Sequence, residues 1–372
     1  MTKASLICQI LEKHKNCTST LRSIFEEKMI KVKEDGCFSI FNYDIMADFS
    51  DPVVQEARGI IIDTDKNEVV CWPFRKFSNF HEVSADTIDW ASARVQEKVD
   101  GSIIKLWYNF VLERWNFSSN SCIYASSASV QAGISIQALI ESAINYNILH
   151  DKLDTLNKEY TYIFELVGPL NQVVVKYPAT MLYHLGTRSN ITGEEFDIDL
   201  GIKKPKEYPL HNLEDCIEAA KQLNKNDYPD NEGFVVVDKN WHRVKVKAPE
   251  YLIYHHAVNN GQITKDRAWG ILTSDDFKLD TFLEAAPEQV KDIILYYREC
   301  FAEEKASALI AIVYARNLAK EGFSRKEIAA KVSNSKYSFF CFKSLDCKDS
   351  PEEIVKVNSR KLMNNIKEYS YV

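Results

Sequence analysis

The chain changes character near residue 250, and this change constrains its fold more than any other feature. Before it, short β-rich runs recur between turn signals: Cys37–Ile45, Gly59–Asp63, Glu68–Trp72, Ser102–Tyr108, Tyr160–Val167, Gln172–Lys176, Met181–Gly186, Phe234–Val237 and Trp241–Lys247. Their alternating, β-branched and aromatic residues fit half-buried antiparallel strands. Helical spacing appears at Ser5–Ile30, Val130–Ile148 and Leu213–Leu223 without regular strand–helix alternation, which predicts an α+β domain. After Pro249 the strand pattern stops. Pro287–Leu318 carries apolar residues three to four apart, and Ser324 with Glu327 forms a capping-box pattern. Ser350-Pro351-Glu352-Glu353 supplies a cap, a proline at the first position and acids at the positive end of a helix. Residues 1–250 are therefore expected to form one antiparallel-sheet domain and residues 251–372 an all-helical one. The length agrees, since one core rarely grows beyond ~250–300 residues.

Composition removes several classes of function. A hydrophobic share of 45% and a charged share of 27% exclude wholesale disorder. Apolar runs such as Ala308–Ala315 fall short of the ~20 residues a bilayer span needs. The opening MTKASLICQILEKHK has no signal-peptide core, so a cytoplasmic setting without membrane attachment is expected. Nine cysteines without a CxxC pair read as reduced thiols rather than as a disulfide framework or a zinc site. With a net charge of −7, any phosphate-binding surface must be local. There is no GxxxxGK[ST] phosphate loop.

The segment Lys98-Val99-Asp100-Gly101-Ser102 could by itself be a hairpin turn with an exposed lysine. Four other segments give it weight. Arg58-Gly59 stands just before an apolar strand, and Arg75-Lys76-Phe77 sets cations beside an aromatic. Phe164-Glu165-Leu166-Val167-Gly168-Pro169 embeds an acid in an apolar strand. Glu232-Gly233 precedes Arg243-Val244-Lys245-Val246-Lys247, where the two-residue period puts Lys245 and Lys247 on one face. Each segment also has a plainer reading. Arg58 could pair with Glu56 at the surface, Glu165 could be a solvated acid on an edge strand, and Lys245 and Lys247 could be the wet face of a strand. Lys76 and Phe77 could be a surface packing pair, and Tyr251 a core residue.

In this order and spacing the segments resemble the covalent nucleotidyltransferase superfamily of ATP-dependent polynucleotide ligases and RNA capping enzymes. Within it they look most like the bacteriophage-type RNA ligase 1 family, which repairs cleaved tRNA anticodon loops. Arg188-x-Asn190-x-Thr192-Gly193-Glu194 and Ser274-Asp275-Asp276 extend the likeness, whose landmarks span residues 40–280. The resemblance implies an antiparallel-sheet, ATP-grasp-like nucleotidyltransferase domain followed by a helical domain that selects RNA by shape. It implies ATP and Mg2+ (or Mn2+) as cofactors, and RNA with 5′-phosphate and 3′-hydroxyl ends as substrate, cleaved tRNA included. A kinase-phosphatase that heals the ends first would be the functional partner. Lys98 would be the nucleophile that forms lysyl-AMP. Arg58 and Lys76 would hold ribose or phosphates, Glu165 the ribose hydroxyls, Lys245 and Lys247 the α-phosphate and leaving group, and Glu232 the metal. Asp275 and Asp276 would be further metal ligands, although Ser-Asp-Asp is equally a helix cap with dipole-complementing acids.

The chemistry of such a site can be argued from the residues. A lysine amine, with a reference pKa of ~10.4, is a poor nucleophile while protonated. Burial and neighbouring cations free its lone pair, so Lys98 is expected to be uncharged within a ring of positive side chains. Phosphoryl transfer depends mainly on positioning and charge neutralisation, and a divalent ion on phosphate oxygens takes carboxylate ligands. One departure from the family stands out. Relatives carry a cation in a turn after the nucleophile, whereas Phe117-Ser118-Ser119-Asn120-Ser121 has none, leaving Arg114 as the candidate substitute. Two other readings remain. A DNA ligase or capping guanylyltransferase would usually add an OB-fold barrel, which the helical C-terminal third disfavours. A non-catalytic RNA-binding module would use Lys203-Lys204-Pro205-Lys206 and Arg243–Lys247 with nearby aromatics.

Overall fold

The computed structural model describes residues 5–15, 18–44, 46–129, 133–223, 230–249, 251–252, 263–273, 279, 283 and 288–369. The chain forms two compact units, Met1–Leu252 and Ile253–Val372.

The first unit opens with α1 (Leu6–Lys13) and α2 (Thr18–Glu27), followed by β1 (Ile30–Asp35), β2 (Phe38–Tyr43), α3 (Pro52–Glu56), β3 (Arg58–Asp63) and β4 (Glu68–Cys71). The four strands make an antiparallel sheet in sequence order. Ile60 and Ile62 of β3 pack with Ile7, Phe25, Phe41 and Trp72. Ile61, on the opposite face, packs with Phe38, Ile40, Cys71 and Trp107. Burial on both faces explains why Gly59–Asp63 reads as a continuous apolar run.

The chain continues through β5 (Ser78–Asn79), β6 (Arg94–Glu97), β7 (Ser102–Asn109), β8 (Arg114–Ser119), α4 (Ile136–Glu141) and α5 (Tyr146–His150). It then forms β9 (Tyr160–Val167), β10 (Met181–Ser189), β11 (Glu195–Phe196), β12 (Glu207–Tyr208), α6 (Leu213–Gln222), β13 (Gly233–Val237) and β14 (Arg243–Lys247). A second sheet has the order β11-β10-β9-β7-β8, and a third the order β12-β6-β13-β14-β5. All pairings in both are antiparallel except that of β5 with β14. Helices α4 and α5 bury Leu139, Ile140 and Leu149 against Ile104, Leu106, Phe164 and Leu182 of the second sheet. Cys216 and Ala220 of α6 pack on Val95, Phe234, Val236, Val244 and Val246 of the third. The consecutive strands β6 and β7 belong to different sheets. The four-residue link between them is Lys98-Val99-Asp100-Gly101.

The second unit is helical in its described residues: α7 (Lys265–Thr273), α8 (Glu288–Lys320), α9 (Arg325–Val332), α10 (Ser338–Asp346), α11 (Pro351–Val357) and α12 (Ser359–Met363). Its core joins Ile294, Tyr297, Ala308 and Ile312 of α8 to Phe340, Ile354 and Leu362 of the shorter helices. The expected capping box forms, with the Ser324 hydroxyl accepting from the Glu327 N–H and Glu327 accepting from the Ser324 N–H. Ser350 caps α11 by accepting from the Glu353 N–H. Among the described residues no helix is long and apolar enough to cross a membrane.

Two expectations from the sequence need correction. Ser5–Ile30 is not one helix: it holds α1 and α2, and Ile30 opens β1. Gln172–Lys176 is not a strand. The N–H groups of Val174 and Val175, which a ladder would use, donate instead to the Asp100 carboxylate at 2.8 and 2.7 Å.

Candidate active site

The link between β6 and β7 ties the second and third sheets together at Lys98. Its backbone N–H donates to the Gly233 carbonyl at 2.8 Å, which seats the lysine beside the start of β13. Asp100 anchors the other end of the link. One carboxylate oxygen accepts from Val174 and Val175, and the other accepts from the Tyr251 hydroxyl at 2.7 Å. The Asp100 N–H donates to the Tyr177 hydroxyl at 3.2 Å. Burial and the Glu232 charge still hold the Asp100 carboxyl above its ordinary value. Gly101 is obligatory for a steric reason: a Cβ there would lie 2.3 Å from the Leu166 carbonyl of β9. Gly233 combines a φ of +133° with a site where a Cβ would lie 2.3 Å from the Val246 carbonyl. Both glycines let a neighbouring strand approach the reactive segment.

The pairing registers then deliver the charged side chains. Glu165 of β9 stands opposite Ile103 of β7, and β9 is the central strand of its sheet. Glu165 is therefore buried and is not an edge-strand acid. Gly233 pairs with Lys247 and Val235 with Lys245 across β13 and β14. Lys245 and Lys247 share a face, as the two-residue period predicts, and alternate with the buried Val244 and Val246.

Glu232 is the hub. One of its oxygens lies 2.6 Å from Lys98 Nζ and the other 2.8 Å from Lys247 Nζ, with its side chain only 4% exposed. Burial alone would raise its pKa, but Lys98 and Lys247 outweigh that and hold it below the usual carboxylate range. Lys98 contradicts the expectation of an uncharged amine. Burial pushes its pKa down, but the charges of Glu232 and Glu165, the hydrogen bond to Glu232 and the charge of Asp100 more than reverse this. The resting Lys98 is an ammonium, because its ring of neighbours contains acids as well as cations.

The lysine of this cluster pushed furthest down is Lys245. Burial, then Arg58, Lys98, Lys247 and Lys76, bring it to about 7. Its Nζ lies 4.8 Å from the centre of the Phe77 ring, and the Arg58 guanidinium lies 5.1 Å from the same ring. Arg58 does not pair with Glu56. It donates to the Arg75 carbonyl at 3.4 Å, while Glu56 accepts from the Ser5 hydroxyl and the Ile7 N–H. Lys76 completes the cluster, 3.8 Å from Glu82 and 3.8 Å from the centre of the Phe49 ring, with burial lowering its pKa. Glu165 shows the opposite shift. Burial pushes its carboxyl up to about 8 against the opposing pull of Lys98.

Six of the residues predicted from sequence thus share one electrostatic neighbourhood with Lys98: Arg58, Lys76, Glu165, Glu232, Lys245 and Lys247. Asp275 and Asp276 lie outside the described residues. Tyr251, expected to be core, is 1% exposed but also donates to Asp100 and stands beneath Lys247 Nζ at 5.3 Å. Sequence reasoning assigned no task to Tyr177 or to Lys105. Lys105 is fully buried, donates to the Gly59 carbonyl at 2.6 Å, and is lowered to about 8 by burial. Its alternation within β7 was the available signal, because it puts a lysine where an apolar residue belongs.

Chemically, the cluster presents a primary amine among several cations, able to gather a polyanion around a nucleophile. The residues present also fit a divalent cation. Asp100 is taken up by three hydrogen bonds, but the buried carboxyls of Glu165 and Glu232 are hard oxygen donors of the kind Mg2+ and Mn2+ prefer.

Comparison with known proteins finds RNA ligases. A bifunctional polynucleotide kinase/RNA ligase, as it is named, of Autographa californica nuclear polyhedrosis virus is 28% identical over 76% of this chain, which spans only 43% of that protein's length. An RNA ligase of Rhodothermus phage RM378 is 24% identical, with 74% of this chain and 75% of the relative aligned. Among solved structures, an archaeal ATP-dependent RNA ligase aligns with 95% of this chain and 90% of its own at 12% identity and a TM-score of 0.46. The family model for RNA ligase of the phage T4 type matches residues 56–251, more than half of the chain and every described member of the charged cluster, so the chain belongs to the RNA ligase family.

Proposed function

We propose that the protein is an ATP-dependent RNA ligase that works through a covalent lysyl-AMP at Lys98. The observation that carries this reading is the Lys98–Glu232–Lys247 bridge, an amine and a second cation held on the two oxygens of one buried carboxylate. In the first step Lys98 Nζ bonds to the α-phosphorus of ATP, and the bond to the bridging oxygen breaks so that pyrophosphate leaves with its electron pair. The Lys98 proton must depart first, and Glu232 is the acceptor within reach at 2.6 Å. Lys245, Lys247 and Arg58 offset the charge of the triphosphate, which suits a reaction dominated by positioning and electrostatics. A Mg2+ or Mn2+ ion held by Glu232 and Glu165 would supply further charge neutralisation on the phosphate oxygens.

AMP then passes to the 5′-phosphate of an RNA end as the P–N bond breaks and Lys98 recovers its proton. A 3′-hydroxyl attacks the activated 5′-phosphorus, AMP leaves, and the strand is sealed. Broken RNA, cleaved tRNA included, is the proposed substrate, with the helical unit selecting it by shape. The name of the viral relative, which couples kinase and ligase, supports an end-healing kinase activity as the functional partner of this chain. The cytoplasm is the proposed setting, where ATP and RNA meet and where cysteines remain reduced.

The test uses ATP labelled at the α-phosphorus. Wild-type protein with a divalent metal is expected to become covalently labelled and Lys98→Ala is not, and chasing the label with 5′-phosphorylated RNA should move it to the RNA and then release it as AMP. Label retained by Lys98→Ala would refute the assignment. A protein that binds RNA but never takes label would favour the non-catalytic reading.

A further inference from the structure

A cavity lies apart from the lysine cluster, with none of that cluster's lysines in its lining. It measures about 900 Å3 and lies in the first unit, with Trp72, Arg75, Arg188, Trp241 and His242 in its lining. The segment from Trp72 to Phe77 contributes residues to both places. Lys76 and Phe77 belong to the lysine cluster, whereas Trp72 and Arg75 line the cavity. We propose that this cavity receives one unstacked nucleotide of a single-stranded RNA substrate, with its base against Trp241 and its phosphate toward Arg188 and Arg75. The inference rests on the RNA ligase reading for the identity of the strand.

The first observation is Trp241 itself. Its φ is +63°, a left-handed conformation that is rare and strained for a bulky side chain. Asp238 enforces it. One oxygen of this buried carboxylate accepts from the N–H groups of Asn240 and His242, and the other accepts from the Asp89 N–H and contacts the His242 ring at 3.1 Å. The turn is thus over-determined around a residue that glycine or asparagine would fill with less strain. Holding a tryptophan there places its indole in the cavity wall, where Arg243 and Arg94 approach the ring at 5.5 and 6.0 Å. Such a half-buried indole beside guanidinium groups is the stacking platform that single-stranded nucleic acid uses.

The second observation is Arg188, one of the motif residues with no part in the lysine cluster. It is 8% exposed, yet among the described residues no carboxylate lies within ion-pair distance of it. It donates to the Gly193 and Pro73 carbonyls at 2.9 and 2.7 Å and lies over the Trp72 ring at 4.5 Å. A buried guanidinium held by neutral carbonyls retains its charge for an anion. Of the three acids in the same lining, Glu56 accepts from Ser5 and Ile7, Glu195 lies 2.6 Å from Arg243, and Glu194 accepts from the Thr192 hydroxyl at 3.3 Å. The Trp72 indole nitrogen is buried without a hydrogen-bond acceptor, so the wall also retains a free donor.

The test is direct RNA binding, followed by fluorescence anisotropy with a labelled, 5′-phosphorylated single-stranded oligonucleotide and the full chain. Trp241→Gly suits the left-handed turn and should leave the melting temperature unchanged or higher, while weakening RNA binding by about ten-fold, the loss of one stacked base. Trp241→Phe should retain binding. Lysyl-AMP formation should be unchanged in both variants. Equal RNA affinity for wild type and Trp241→Gly would overturn the inference, as would parallel loss of lysyl-AMP formation, which would make the cavity part of the nucleotide site. Free AMP should fail to displace the oligonucleotide, and displacement by AMP would overturn RNA as the occupant. Binding is read without ligation, so a wild type that takes no label would sink the ligase reading while leaving this measurement interpretable.

Discussion

The two units treat charge in opposite ways. In the first, Asp100, Lys105, Glu165, Arg188, Glu232 and Arg243 are all buried. In the second, the buried polar residues among those described are Ser344 and Ser359, neither of them ionisable, and the core is apolar. Taking ions out of water costs several kcal/mol each, and their pairing rarely gives it all back. A unit that does this repeatedly holds charges in place for a purpose other than stability. A unit that does not has a core that supports its shape, and any chemistry it performs lies on its surface.

This contrast can be broken by experiment. The largest effect is expected at the nucleophile, where Lys98→Ala should reduce AMP labelling to background while the protein remains folded. If the label persists, the buried charges of the first unit serve something other than that lysine. Glu232→Ala should be nearly as severe and should also destabilise, by about 3 kcal/mol, because it leaves two half-buried lysines without their carboxylate. Chemical denaturation should show that loss, and Glu232→Gln should recover part of the stability but little of the labelling.

A substitution of similar size in the second unit should separate stability from chemistry. Phe340→Ala removes a side chain that is 2% exposed and should cost about 3–5 kcal/mol. Lysyl-AMP formation below the melting transition should be preserved. A matching loss of labelling would show that the helical unit takes part in the first step.

The contrast should also appear as a pH dependence carried by the buried lysines of the first unit. Lys245 is lowered to about 7 and Lys105 to about 8, whereas an unfolded lysine titrates near ~10.4. Between these values the unfolded chain binds more protons, so stability rises with pH and is lost as pH falls toward the folded values. Unfolding free energies measured at about pH 8 and about pH 9 should increase in that order, and Lys105→Met or Lys245→Met should flatten the slope. The smallest effect is expected in the second unit. Ser324→Ala removes the capping hydroxyl of α9 and should lower stability by about 1 kcal/mol with labelling unchanged.

The sequence revealed the site better than the fold around it. Lys98, Glu165, Glu232, Lys245 and Lys247 were legible because each interrupts an apolar or turn pattern with a charge that a half-buried strand does not need. The two-residue period then fixed which lysines share a face. The short strands β5, β11 and β12 left no signal, since two residues cannot display a period. Gln172–Lys176 misled for a different reason. Val174 and Val175 are buried as strand valines can be, but Asp100, more than seventy residues away in sequence, claims their N–H groups. The charge on Lys98 was misjudged because a residue list shows which ions are nearby but not that Glu232 stands closer than any cation. The cavity beside Trp241 was invisible because a left-handed tryptophan has no sequence signature.

The lysine sits on the joint between two sheets, but it is not shared equally by them. Its amide and its amine are both fastened to the Glu232-Gly233 pair, whereas Glu165 rides on the neighbouring sheet. Any rocking of one sheet against the other therefore leaves the amine in the grip of Glu232 and changes only its separation from Glu165. Lys98 and Glu232 would travel as one body, and the separation that such a rocking would alter is that from the wall carrying Glu165.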